Sequence, residues 1–405
     1  MNGQLVVRTA READLDRLIE IHMSAFPDAR GVEARRRNFQ NHPLGGLDQL
    51  HVAERGGNPL AHAFLFALEV WYGGKRVKVG GIASVGVAPE VRGEAVARAL
   101  LDELHSLAHA RGDTITLLYP FRQGFYARDD YVPVTPSRLL ALSPRAIPDD
   151  FSDPLLSPGT LRAATGKDRE GIEHCYEEVA SKQTGWIVRP PRLWEKKLLD
   201  ERRRCFVLER SGVVAGYVAW TLHQEEPHAM TTLDVHELVA VDEGARRRLL
   251  GVIGAQRDQV TEVAIELDAD DPIDRALLDV DRERWGTERL EHALGTLVGG
   301  PMVRILDVSR AFEERGYLAD GSLDVAVDGA ASLHVEVAGG RARVGAATGG
   351  PAVRLNRKAL AAILYGGLSA RAAARLGWLR PDDASTLSRA DALFSIPPFF
   401  AADPF

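Results

Sequence analysis

The chain has 405 residues, 45% hydrophobic and 26% charged, a balance typical of soluble globular proteins but too long for one hydrophobic core, so two or three domains are expected. Its net charge of −7 is uneven, with 18 Lys/Arg against 16 Asp/Glu over residues 1–145 and an acidic excess afterwards, which argues against a basic nucleic-acid binder. No run approaches the roughly 18 apolar residues of a membrane span, no signal-peptide pattern opens the chain, and two cysteines (Cys175 and Cys205) give no disulfide framework, so a cytoplasmic protein is expected.

A short strand at Leu5–Val7 leads into "TAREADLDRLIEIH", where Thr9 and Glu12 have capping-box spacing and Leu15, Leu18, Ile19 and His22 follow at helical intervals. After an Arg-rich stretch come three strand-like runs, "DQLHVAE", "PLAHAFLFALEVWYGG" and "KRVKVGGIASVGVAPE". A long helix, "EAVARALLDELHSLAHARG", carries Val96, Leu100, Leu104 and Leu107 on one stripe and stops at Gly112. The strand "TITLLYP", a short helix around "GFYARDDY" and the strand "YVPVT" complete the first segment. His105 and His109 on the long helix read as solvent-facing, because no acidic third ligand stands at metal-site spacing; no metal is expected.

From about Ser143 the same order of elements returns. "LRAATGKDREGIEHCYEEVA" reads as strand then helix, "RCFVLERSGVVAGYVAWTLHQ" as a hairpin turning at Ser211-Gly212, and "TTLDVHELVAVDEGARRRLLGVIGAQRD" as strand then helix before the strand "TEVAIELD". This is a diverged internal duplication. A third segment from about Leu294 has the strand "PMVRILDV", the helix "SRAFEERG", three glycine-separated strands, two helices ("NRKALAAILYGG" and "SARAAARLG") and the apolar tail "FSIPPFFAADPF". Strands followed by helices make it a small α+β domain.

The run "GGIASVGVAPEVRGEAVARALLDEL" carries the most chemical information. A strand, a proline-containing turn, an Arg-Gly loop of small residues and a helix start aim several backbone N–H groups and a helix dipole at one spot, a geometry suited to phosphate. Small side chains at Gly93, Ala95 and Ala97 admit a ligand to the backbone, and Arg92 adds positive charge. The run resembles the acetyl-CoA loop of GNAT-superfamily N-acetyltransferases, Arg/Gln-x-x-Gly-x-Gly/Ala. Arg92 and Ala97 fit that pattern, while Ala95 stands where Gly is preferred. The resemblance implies that Arg92, Gly93, Glu94, Ala95, Val96 and Ala97 bind acetyl-CoA, together with the backbone of Val85, Gly86 and Val87. "GFYARDDYVPV" resembles the tyrosine-bearing helix of the same enzymes, which makes Tyr126 the implied general acid; read alone, Tyr126 is more readily a packed aromatic with a hydrogen-bonded hydroxyl.

The three segments together resemble the Eis (enhanced intracellular survival) family across essentially the whole chain. That resemblance implies an α+β architecture of tandem GNAT folds, residues 1–142 and 143–293, followed by a sterol-carrier-like domain, residues 294–405. The second domain reads "VDEGARRRLL" at the loop position, so it is expected not to bind CoA. The resemblance further implies that the carboxylate of Phe405 reaches the first domain's site and handles the substrate amine, and that Phe26, Asp28 and Phe39 border the acceptor pocket. A homo-hexamer acting on small-molecule amines or lysine side chains is implied, with acetyl-CoA as cosubstrate and neither nucleic acid nor membrane as partner. The other class of reading is a non-catalytic protein that holds CoA or a lipid in its sterol-carrier-like domain.

Overall fold

A computed structural model describes residues 4–27, 31–198, 202–224, 226, 229–277 and 295–405. Its first sheet is seven-stranded, in the order Leu5–Thr9, Leu50–Arg55, Asn58–Tyr72, Lys75–Val87, Ile115–Leu118, Met302–Ile305, Val132–Pro133. One neighbouring pair is parallel, Lys75–Val87 with Ile115–Leu118; the other pairs run antiparallel. Asn58–Tyr72 is buried almost throughout because both of its faces are covered. Phe64, Phe66, Leu68 and Val70 join one apolar cluster with Leu15 and Leu18, whereas Ala61, Ala63 and Leu65 join another with Leu100 and Leu104. The period of two thus sorts one strand between two helices.

The helix Leu15–Ala25 starts differently from the Thr9–Glu12 expectation. Thr9 remains in the first strand, and the turn is closed instead by Asp14, whose Oδ2 accepts the Arg11 backbone N–H at 2.7 Å. Asp14 also takes a forked pair of bonds from Arg8, at 2.7 and 2.9 Å, and Arg8 reaches Glu54 at 2.5 Å. The second sheet repeats this knot: Arg162 bonds Asp168 at 2.8 and 2.7 Å and Glu209 at 2.7 Å. Identical charge triads at matching places in two sheets support the internal duplication.

That second sheet is also seven-stranded, in the order Thr160–Ala163, Arg204–Arg210, Val213–His223, Thr232–Ala240, Glu262–Asp268, Ser137–Leu142, Thr296–Val298. Its parallel pair is Thr232–Ala240 with Glu262–Asp268. The hairpin turns at Ser211 and Gly212, both with positive φ, as two-residue hairpins favour. The third sheet has five strands, and the helices Arg357–Leu364, Ala370–Arg375 and Ala384–Phe394 are N-capped by Asn356, Ser369 and Asp383. Buried Arg315 ties it together by donating to the carbonyls of Leu364 and Phe394.

The sheets cut the chain differently from the 142/143 and 293/294 boundaries read from sequence. Ser137–Leu142 pairs with Glu262–Asp268 in the second sheet, and Met302–Ile305 inserts beside Ile115–Leu118 in the first. A strand's alternation says which residues face a core, but not which sheet supplies its partner. His105 also departs from expectation. It is buried, with Nε2 at 2.9 Å from Tyr131 Oη and Nδ1 at 2.7 Å from Arg304, a residue delivered by the inserted strand.

Candidate active site

The parallel pair of the first sheet holds together only as far as Ile82 opposite Leu118. Beyond it the strands part, and a cavity of about 350 Å³ opens between Ile82–Val85 and Leu118–Phe121. A bulge fixes where the parting begins. Phe64 pairs with Ala83 and His62 with Gly86, so Ser84 and Val85 together face the single residue Ala63. Ser84 takes a φ of 53°, a left-handed conformation that costs a non-glycine residue about 1–3 kcal/mol and is retained on the cavity wall.

Tyr126 lines this cavity at the end of the short helix Gln123–Tyr126. Its ring is wedged edge-on by Phe121, Phe125 and Tyr131 at 5.7, 5.0 and 6.0 Å. Burial disfavours the phenolate and pushes its pKa up to about 12, so the hydroxyl is a proton donor across the ordinary pH range. Phe405 lines the same cavity. Its ring meets Tyr119 edge to face at 5.6 Å and Phe66 at 6.4 Å, and together with Leu68 it fills the space where Gly81 lacks a side chain.

The loop after the strand Lys75–Val87 begins as a tight turn at Pro89–Val91. Gly93 has φ of 95° with open space where a Cβ would lie, and Ala95 has φ of 60°. No side chain caps the helix Val96–Arg111, so its leading N–H groups face outward beside exposed Arg92, Gly93, Glu94 and Ala95. Arg92 is held by long 3.4 Å approaches to Val87 O, Ser24 O and Ser24 Oγ. The matching helix of the second sheet, Glu243–Gly254, is instead capped by a side chain. Asp242 accepts the Ala245 N–H at 2.8 Å and pairs with Arg210 at 2.6 Å.

Of the acceptor-side residues read from sequence, Phe26 lines the cavity and is partly exposed. Asp28 lies outside the described residues. Phe39 is fully buried behind the cavity and not on its wall, packing edge-on against His22 at 5.3 Å and His62 at 5.2 Å. His22, Arg35, Tyr119 and Phe121 line the cavity and escaped the sequence reading. His22 follows Leu18 at core spacing and so reads as packing, and Tyr119 sits at the end of an apolar strand.

The tail that carries Phe405 is fastened at several points. Phe399 is buried against Tyr72, and the Phe400 N–H donates to Thr184 O at 2.9 Å. Gly185, with φ of 93°, permits the close passage, since a Cβ there would lie 2.8 Å from the Phe399 ring. Asp403 is buried, with Oδ2 at 2.8 Å from Arg189 and 3.0 Å from Tyr176 Oη, and Oδ1 at 2.7 Å from Lys197. Burial alone would raise its pKa, but the two facing cations outweigh burial and bring it down to about 2.

With this geometry in hand, comparison with known proteins gives a consistent picture. Residues 6–134 and 185–305 each match a family model described as an acetyltransferase (GNAT) domain, and residues 308–401 match a sterol carrier protein domain. The N-acetyltransferase Eis of Mycobacterium tuberculosis is 25% identical over 327 residues, 78% of this chain and 77% of that protein. Among solved structures, a GCN5-related N-acetyltransferase from Anabaena variabilis superposes with a TM-score of 0.83 at 21% identity, over 99% of this chain and 100% of that one. Eis1 from Mycobacterium abscessus gives 0.76 at 21% identity, with the same coverage. At these identities the structural likenesses establish the fold.

Proposed function

The chain belongs to the Eis family of GNAT-superfamily N-acetyltransferases, and from that premise we propose that it transfers the acetyl group of acetyl-CoA directly to a primary amine, with Tyr126 as general acid and the Phe405 carboxylate on the amine side. The acceptor class is a polyamine-like molecule, an aminoglycoside-like molecule or a lysine side chain. The observation that carries the reading is the convergence of Tyr126 and Phe405 on one cavity at the splayed end of a parallel strand pair.

The residues present fit acetyl-CoA. The uncapped N–H groups of Val96–Arg111, the open space at Gly93 and the charge of Arg92 suit its phosphates, and the free strand edge from Val85 to Val87 suits an amide-bearing arm. Bound acetyl-CoA supplies a thioester that an uncharged amine can attack. Tyr126, protonated at neutral pH, hands its proton to the leaving sulfur. The Val85 backbone N–H follows the bulge at Ser84 and is positioned to receive the charge that develops on the carbonyl oxygen. A terminal carboxylate has an ordinary pKa of about 3.5 and is a weak base, so the Phe405 group acts first by holding a cationic amine and then by accepting its proton.

The test is a thiol-release screen of purified protein across polyamines, aminoglycosides and lysine peptides, run beside Tyr126→Phe. Turnover with at least one class, falling about a hundredfold in the variant while acetyl-CoA still binds, supports the reading. Thiol release equal to wild type in Tyr126→Phe removes Tyr126 from the mechanism.

A further inference from the structure

The second sheet parts in the same way as the first. Its parallel pairing ends at Val235 opposite Ile265, and one extra residue, His236, bulges between Val235 and Glu237. A larger cavity of about 710 Å³ opens there, walled by Val235–Val241 and Ile265–Asp268. Where the first sheet leaves its cleft open for a cofactor, this one contains the chain's own tail: Pro398, Phe400, Ala401, Ala402 and Pro404 line it.

The residue that follows the second bulge is a buried carboxylate. Glu237 pairs with Arg189 at 2.9 Å and Lys197 at 2.8 Å and accepts from Tyr217 at 2.7 Å. The same two cations hold Asp403. Arg189 is further sandwiched between the faces of Tyr176 and Trp194, at 3.8 and 4.5 Å. Buried Asp403, Glu237 and Arg189 therefore close one hub with half-buried Lys197, and Arg203 approaches Glu237 at 3.7 Å from its edge. Such a hub fixes register, because removing one member leaves a buried charge with fewer partners.

We propose that the second GNAT fold has turned its cofactor cleft into a clamp for the C-terminal segment, and that Asp403, gripped by Arg189 and Lys197, is the positioning residue that sets Phe405 in the first domain's cavity. The proposal rests on the reading that Phe405 serves the reaction there. Asp403 lies two residues before Phe405, with only stiff Pro404 between them, so its anchor transmits directly to the last residue. The hub explains why the second fold keeps a splayed pair and a bulge while Asp242 caps its helix N-terminus.

The experiment compares wild type, Asp403→Asn, Lys197→Met and Lys197→Arg with a variant lacking Phe405. Steady-state acetyl transfer and hydrogen–deuterium exchange of the tail peptide 395–405 are measured on each. Asp403→Asn and Lys197→Met are expected to lose at least tenfold in kcat, to keep the KM for acetyl-CoA within about twofold, and to exchange faster in the tail; Lys197→Arg restores both readouts. The inference is overturned if Asp403→Asn and Lys197→Met keep wild-type kcat and tail protection. Full activity without Phe405 refutes the role of the terminus instead, and the exchange data still decide the clamp. If Asp403→Asn fails to fold, Lys197→Met against Lys197→Arg carries the same comparison at a less buried side chain.

Discussion

The rings of Tyr119 and Phe405 meet edge to face at 5.6 Å, and this contact seats residue 405 in the cavity that also holds Tyr126. Tyr119 is the first residue beyond the paired end of Ile115–Leu118, so the parting of the strands creates the ledge on which the tail rests. Two sheets, a bulge and a clamped tail thus converge on one small volume.

The pH dependence of turnover should carry Tyr126's signature. Its acid form is the working form, and burial raises the pKa to about 12, so the phenol stays protonated as pH rises through the ordinary tyrosine value near 10. At saturating acceptor, kcat should show no descending limb below about pH 10, because the phenol that protonates the sulfur stays in its acid form. A stopped-flow thiol assay from pH 6 to 10 checks this; a fall beginning near pH 8 would assign another group as the acid.

Gly93 tests the cofactor loop. An alanine there meets no atom, but it must adopt φ of 95°, which costs an L residue about 1–2 kcal/mol. Gly93→Ala should weaken acetyl-CoA binding roughly tenfold by calorimetry, an amount equivalent to about 1.4 kcal/mol, while kcat at saturation changes little. The same titration should give one acetyl-CoA per chain, because Asp242 occupies the second helix start. A stoichiometry of two would show that the second cleft also binds it.

Acid should weaken the tail's anchor at Asp403. Asp403's pKa is lowered from its unfolded value, so its contribution is full above about pH 4 and is lost as pH falls through about 2. Asp403 shares Arg189 and Lys197 with Glu237, so the stabilisation belongs to the pair. Asp403→Asn should therefore be less stable than wild type at pH 7, and the two should converge toward pH 2. Denaturant midpoints across that range measure it; a constant gap would place the stabilisation elsewhere.

The local elements around the candidate cavity could be read from the sequence, because each is built from residues close in the chain. The Arg92–Ala97 loop, Gly112 as a helix stop, the Tyr126 helix and the Phe405 tail each depend on residues within a turn or two of one another. What the sequence did not disclose depends on distant partners. Nothing in "SRLLAL" or "MVRI" tells one sheet from the other, so the exchange of Ser137–Leu142 and Met302–Ile305 had to be seen. His105 looked exposed until Arg304 and Tyr131 arrived from elsewhere in the chain. Phe39 looked like a pocket residue, but the small helix Gly31–Gln40 turns it inward behind His22. Asp403 reads as an ordinary tail acid, and only the fold brings Arg189 and Lys197 around it.

The central claim is that residue 405 takes part in acetyl transfer. The most direct measurement is the single-turnover rate of transfer to the best amine from the acceptor screen, compared between wild type and a variant extended by two glycines after Phe405. Moving the carboxylate away while keeping the ring should lower that rate about a hundredfold with acetyl-CoA affinity unchanged. A rate within twofold of wild type would contradict the account.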